Sequence, residues 1–424
     1  MAAAAIPVIW LHGRYQGHLS AVGVSVVTSD LAIAAVIAAG VVSGLMFGWE
    51  PLRRGRLLWI LASAFLGLLL LSCFWRPPEL LGARVTTWFK LLEYALLAPA
   101  VALLLRRAVD FDRFIAVFVA WAFAAGVWGL LMFFAIVDDP QGPRPGQREV
   151  SFLGHQDYGA FTGSALAAGF AAVALGIRRR LAVVAIVGGS LGVTLDASVF
   201  AYFGVLLAAV AIVIATAKLG TLNLRRMLLI GAVLLVVAGG VVGLRGSDVS
   251  SYLGFLGIER AQKSAETGVQ TGQQRTMLLW MGLQMWENHP VLGIGLDRSN
   301  TDFQPYLAAM KRKFPGQPPL AYPSRIHRWG VQNYWLELAT DTGTVGLLLG
   351  LATFGSGLVL AFRRLRRNAF VALVAVGLIL VVAGTWNAIG IVAGIPMDAV
   401  TWVGLGLAAA SVPLAAGKPA EPGG

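Results

Sequence analysis

Between Arg245 and Gln332 a polar stretch interrupts hydrophobic segments of membrane-spanning length. It carries Arg275, His289, Arg298, the run Lys311-Arg312-Lys313, Arg325, His327 and Arg328. Guanidinium groups present paired N–H donors that match phosphate oxygens. In a water-poor site they offset negative charge growing on a leaving group. Histidine supplies the complementary need, a base that titrates near neutral pH and activates a weak hydroxyl nucleophile. His327 lies between Arg325 and Arg328, whose charge would hold the imidazole in its neutral, basic form. A basic and aromatic loop of this length, late in a chain of apolar segments, is where chemistry on an anionic, membrane-borne substrate is expected.

Residues of the same types lie outside this stretch or at its edge. Arg144 and Arg148 occupy a short polar connection, where they either bind a second phosphate or solvate the loop. His155 and Asp157 follow at the mouth of an apolar segment. Such groups are costly there unless used or paired; the alternative is a helix N-terminus whose dipole Asp157 offsets. His289 precedes Pro290 and reads as a turn cap, while Lys311-Arg312-Lys313 reads as a solvated face or a headgroup contact. Asn333 and Glu337 are one helical turn apart and share a face, as packing partners or substrate contacts. No zinc-ligand spacing, nucleophile elbow, phosphate loop or glycine-rich dinucleotide motif is present. Hydrolase and nucleotide-driven classes lose support accordingly. The single cysteine, Cys73, excludes an intrachain disulfide and a cysteine metal site.

A membrane bundle must position these residues. Of the 424 residues, 57% are hydrophobic and only 13% charged, about half the charged share of a soluble domain. Spans are predicted near 26–48, 57–75, 85–105, 113–137, 155–177, 181–196, 198–217, 227–244, 333–362, 369–386 and 398–415. Only Asp196-Ala197-Ser198 separates the sixth from the seventh, and residues 1–20 could add a short or re-entrant segment. The fold class is an all-α integral membrane protein of about 10–12 transmembrane helices, since backbone in lipid must satisfy its own hydrogen bonds. Residues 1–244 form an N-terminal bundle and 245–332 a large loop; 333–415 return to the membrane and 416–424 form a tail.

Charge orients the bundle. The net charge is +12, but it lies mostly in short connections and argues against nucleic acid as partner. Alternate connections carry sixteen Lys/Arg, including Arg53, Arg106, Arg178, Arg226 and Arg364, against four in the others: Arg76, Arg84, Arg144 and Arg148. The positive-inside rule makes the first set cytoplasmic and puts the large loop on the other face. Ten further basic residues in that loop run against the bias, and an anionic ligand would explain them.

Within the loop, Met277, Trp280, Met281 and Met285 have helical spacing. Trp280 and Trp286 suit a helix lying at the membrane interface, with Arg275 pointing out of its polar end. Residues 302–314 form a second short helix. The stretch Arg275 to Gly295 reads R-x4-W-x8-H-P-x2-G-x-G. The return segment Gln332-Asn333-Tyr334-Trp335-Leu336-Glu337-Leu338 is followed by Asp341-Thr342-Gly343-Thr344-Val345-Gly346, and Gly154-His155-Gln156-Asp157 opens an earlier span. These three stretches resemble signature elements of the O-antigen ligase and polymerase superfamily. Gln332 stands where the family has a histidine, and Asp196-Ala197-Ser198-Val199 lacks the arginine of the ligases' Ser-Arg-Gly element.

The resemblance implies a glycosyltransferase of the multi-spanning GT-C type with a large, partly helical periplasmic loop, working without nucleotide sugar, metal or other cofactor. Its donor would be an undecaprenyl-pyrophosphate glycan at the outer face of the bacterial inner membrane. Its acceptor would be lipid A–core oligosaccharide for a ligase, another repeat unit for a polymerase, or a protein hydroxyl for related enzymes. Arg275 would then hold the pyrophosphate, helped by Arg144 or Arg148. His327, or else His155, would activate the acceptor, with Asp157, Arg325, Arg328, Gln332 and Asn333 as further substrate contacts. A transporter or flippase for anionic lipid-linked sugars is the rival from another class; it calls for charges buried at mid-membrane in broken helices.

Overall fold

The apolar segments fold as helices, as a chain in lipid requires. The computed structural model describes residues 2–21, 24–75, 80–138, 148–154, 156–255, 271–326, 328–391 and 395–412. A short helix, α1 (Ala2–Ile9), leads through an antiparallel hairpin, β1 (His18–Ala21) and β2 (Val24–Val27), into α2 (Thr28–Phe47). Next come α3 (Glu50–Arg54), α4 (Arg56–Ser72), α5 (Leu81–Ala95), α6 (Leu97–Leu104) and α7 (Ala108–Phe133). The middle of the chain supplies α8 (Asp157–Leu175), α9 (Arg179–Asp196), α10 (Val199–Lys218) and α11 (Leu224–Phe255). The polar stretch adds α12 (Thr271–Asn288) and α13 (Gln304–Lys313), before α14 (Tyr334–Arg363), α15 (Ala369–Thr385) and α16 (Ile395–Ala409).

Among the described residues, eight helical segments are long and apolar enough to cross a membrane: α2, α5 with α6, α7, α8, α10, α11, α14 and α15. The shorter apolar helices α4 and α16, together with α9, occupy the other three positions where the sequence predicts spans. Apart from the hairpin the described residues are those of an all-α, multi-pass membrane protein. The segment before residue 21 proves to be short. Eight residues of α1 rise only about 12 Å. Ile6 and Ile9 are buried, and the Trp10 ring lies 5.2 Å from that of Phe161.

α8 is the hub. It is buried along nearly its whole length against α9, α10 and α15. Its sequence is mostly Ala, Gly, Ser and Thr, which lets helix backbones approach closely where lipid offers no hydrophobic drive between helices. Successive helices α9 and α10 therefore both pack on α8.

Two details differ from the hydropathy pattern. The span predicted at 85–105 is broken at Leu96, because Pro99 has no N–H for the carbonyl of Ala95. Helix α11 continues past Arg245, where the backbone bends (φ −123°, ψ 15°), and runs on to Phe255. Hydropathy falls at Arg245, but a helix does not have to stop where its apolar residues do.

The bundle has two distinct ends. The basic connections meet at one: Arg106 donates to the carbonyl of Phe47 (2.9 Å), Arg178 pairs with Asp112 (2.5 Å), and Arg226 donates to the carbonyl of Thr221 (2.7 Å). Arg178 also lies over the Phe370 ring at the start of α15. The other end gathers the start of α8, the α9–α10 turn, the bend of α11, and the start of α14 with α12 packed against it.

Candidate functional site

At that second end, α9 terminates at Asp196. Ala197 takes the left-handed conformation (φ 49°) and Ser198 caps α10, its Oγ accepting from the N–H of Ala201 at 3.3 Å. The tight turn buries Asp196 completely. Its carboxylate packs against Gly159 of α8, where a β-carbon would fall 3.0 Å from the Asp196 carboxyl carbon, so no side chain fits. Arg148 closes over the turn. Its Nε donates to the Asp196 carbonyl at 2.6 Å and its Nη2 to Oδ1 at 3.4 Å. Arg245, at the bend of α11, donates through Nη1 to the Ala197 carbonyl at 3.4 Å.

Arg275, early in α12, completes the group. The sequence suggested that its side chain leaves the helix at the polar end; instead it is half-buried and its Nε donates to Gln332 Oε1 at 3.3 Å. The reason is the docking of α12 between α11 and α14, which turns its first turns inward. Burial first, then the Arg148 and Arg245 cations, push the Arg275 guanidinium down to about 10, with Asp196 opposing. It stays charged at neutral pH. One guanidinium thus bonds to a buried carboxylate, a second to the next carbonyl of the same turn, and a third feels the charge of both, an arrangement suited to an added anion such as a phosphate or pyrophosphate.

A joint between the two longest motif stretches sets the position of Arg275. Helix α14 is interrupted at Gly343 (φ 68°, ψ −169°), a conformation open to glycine and costly for other residues. The segment Pro290–Asp297 docks on the interruption. The N–H groups of Ile294 and Gly295 donate to the carbonyls of Thr340 and Asp341 at 2.9 and 2.8 Å. The N–H of Asp297 donates to Asp341 Oδ2 at 2.7 Å, and that of Thr344 to the Pro290 carbonyl at 2.8 Å. Trp286 Nε1 adds a bond to Thr344 Oγ1 at 3.3 Å. The glycines of both motifs thus lock α12 to α14, which holds Arg275 opposite Gln332.

The remaining candidates separate. Asp157 is the first residue of α8, half-buried, with a buried Oδ1 lacking a hydrogen-bond partner among the described residues. Asn333 caps α14, its Oδ1 accepting from the N–H of Leu336 at 2.9 Å, while Nδ2 donates to Asn387 Oδ1 at 3.2 Å. The Glu337 carboxylate accepts from the N–H of Ile391. His289 ends α12, its N–H donating to the carbonyls of Met285 and Trp286. Arg325 and Arg328 are exposed, and Arg325 lines a separate cavity of about 450 Å³ with Lys311 and Tyr322. His327, His155 and Arg144 lie outside the described residues.

Sequence reasoning missed two members, Asp196 and Arg245. The available signal was their position, each a charge at the very end of an apolar run. Arg148 and Arg245 both bond to the 196–197 turn from elsewhere in the chain. No protein-family model matches the chain, and no curated protein matches it.

Proposed function

We propose that the chain is a glycosyltransferase of the O-antigen ligase type. It would move a glycan from undecaprenyl pyrophosphate to lipid A–core oligosaccharide, in lipopolysaccharide biosynthesis, at the periplasmic face of the bacterial inner membrane. The observation that carries this reading is the gathering of Arg148 and Arg245 on the Asp196–Ala197 turn, with Arg275 within electrostatic reach of both, at the bundle end opposite the basic connections. In the reaction, an acceptor hydroxyl attacks the anomeric carbon as the bond to the pyrophosphate oxygen breaks. The proton passes to His327, and the leaving pyrophosphate is held by Arg275 with Arg148 and Arg245. One displacement inverts the anomeric carbon. Preorganised cations at the leaving group lower the barrier by about 3–4 kcal/mol each in sites of this kind.

The rival transporter reading draws on one observation, the broken helix α14 with buried Glu337 and Asp341 beside it. The twenty residues from 344 to 363 after the break rise about 30 Å, a full crossing on their own. The carboxylates therefore sit at the mouth of the span, where a docking joint is needed, and away from its middle.

The test is glycan transfer in reconstituted membranes, with lipid-pyrophosphate glycan and lipid A–core supplied to wild type, Arg275→Ala and His327→Ala. Product on the core that disappears in both variants supports the ligase. Lengthening of chains on the carrier lipid indicates a polymerase. Movement of the donor across the bilayer without transfer refutes the enzyme reading.

A further inference from the structure

The basic end holds a feature that sidedness alone does not require. The positive-inside rule asks only that Lys and Arg lie in the cytoplasmic connections. Here Arg54, from the first connection, and Arg364, Arg366 and Arg367, from the connection after α14, line one cavity of about 510 Å³. Among the described residues that line it there is no carboxylate. Arg54 pairs with Glu50 at 3.2 Å on the exposed rim. Arg364 is half-buried and donates to the carbonyls of Ala408 (2.8 Å) and Leu407 (3.4 Å) at the end of α16. Burial, then Arg54 and Arg367, push its guanidinium down to about 10, so these cations bear on one another. Ser411 Oγ, also in the lining, is buried without a hydrogen-bond partner among the described residues. The rest of the lining is mostly apolar, with Val371, Leu407 and Val412.

We infer that this cavity binds the phosphate headgroup of an anionic phospholipid, with Arg364, Arg366, Arg367 and Arg54 around the phosphate. The chemistry shared with free phosphate is a tetrahedral anion held by guanidiniums. The membrane lipid is the assigned source because the cavity joins that charge to an apolar face at the end of three apolar helices. Anionic headgroups of the cytoplasmic leaflet attract nearby cations, and convergence on one cavity would add geometric selectivity. The inference is independent of the proposed enzyme activity.

The test uses the full chain purified in mild detergent, with phosphatidylglycerol, phosphatidylethanolamine and inorganic phosphate added separately. Binding is read by native mass spectrometry and by thermal unfolding. Phosphatidylglycerol is expected to bind at tenfold lower concentration than phosphatidylethanolamine and to raise Tm by about 3 °C, a linkage effect of binding to the folded state. Arg366→Gln/Arg367→Gln, at exposed positions, should abolish the shift, and Arg54→Gln should reduce it. Arg179→Gln/Arg180→Gln, at the same end but outside the cavity, should retain it. Equal binding of both phospholipids, or an unchanged shift in Arg366→Gln/Arg367→Gln, would overturn the assignment. Inorganic phosphate reproducing the whole shift would overturn the lipid as its source.

Discussion

Arginines crowd both ends of this bundle, and they are set differently at each. At the basic end they are mostly exposed and spent locally: Arg106 and Arg226 cap helix carbonyls, while Arg178 pairs with Asp112 across neighbouring helices. At the opposite end Arg148, Arg245 and Arg275 come from three distant parts of the chain and gather near the turn at Asp196, which is wholly buried. Sidedness accounts for the first set, the cavity lined by Arg54, Arg364, Arg366 and Arg367 apart, and opposes the second. Cations gathered against that bias, with a carboxylate to hold their frame, need a purpose beyond orientation, and an anionic ligand supplies it.

The contrast makes unequal predictions for the two ends. The largest effect should come from Arg275→Ala and Arg148→Ala, each lowering transfer about 100-fold or more in the reconstituted assay. Arg275→Lys should recover only part of this, because an ammonium lacks the paired donors. Next comes the joint that positions Arg275. Gly343→Val should destabilise by about 3 kcal/mol, since it imposes a β-branched residue on a glycine conformation against the 290–293 segment. Thermal unfolding would show it as a lowered Tm, accompanied by weakened transfer.

A pH series sharpens the comparison. Arg275, pushed down to about 10, is charged below that pH and neutral above it. Binding of a pyrophosphate lipid, which needs the charged form, should be flat between about pH 6 and 9. It should fall as pH passes 10, and Arg275→Gln should lose that fall. The smallest effect belongs to the basic end. Arg178→Gln, which breaks the partly exposed pair with Asp112, should change stability by less than about 1 kcal/mol and leave transfer unchanged.

Much of the fold was legible because apolar runs of spanning length leave the backbone little choice. The helices over Gln273–Glu287 and 302–314 also followed from side-chain spacing, and Met277, Met281 and Met285 are buried in the small core beneath them. What spacing could not convey was meeting in three dimensions. Asp196 and Arg245 read as span boundaries, and their encounter with Arg148 depends on α8 standing between α9 and α10. Arg275 was found from its motif, but its inward direction follows from the Gly293–Gly343 joint, in which each half is unreadable without the other. Asn333, read as a packing partner or a substrate contact, caps the backbone of α14, a role that short acceptor side chains such as Asn, Asp, Ser and Thr take ahead of a helix.

The central claim is that the Arg148–Arg245–Arg275 cluster is an anion site. It is tested most directly by equilibrium binding of undecaprenyl pyrophosphate to the chain in lipid nanodiscs, comparing wild type, Arg275→Gln and Arg178→Gln. The account predicts binding weakened about tenfold or more by Arg275→Gln, the loss of one charge-assisted contact, with Arg178→Gln indistinguishable from wild type. Equal binding by all three would contradict it, and the cluster would then be a structural clamp on the Asp196 turn.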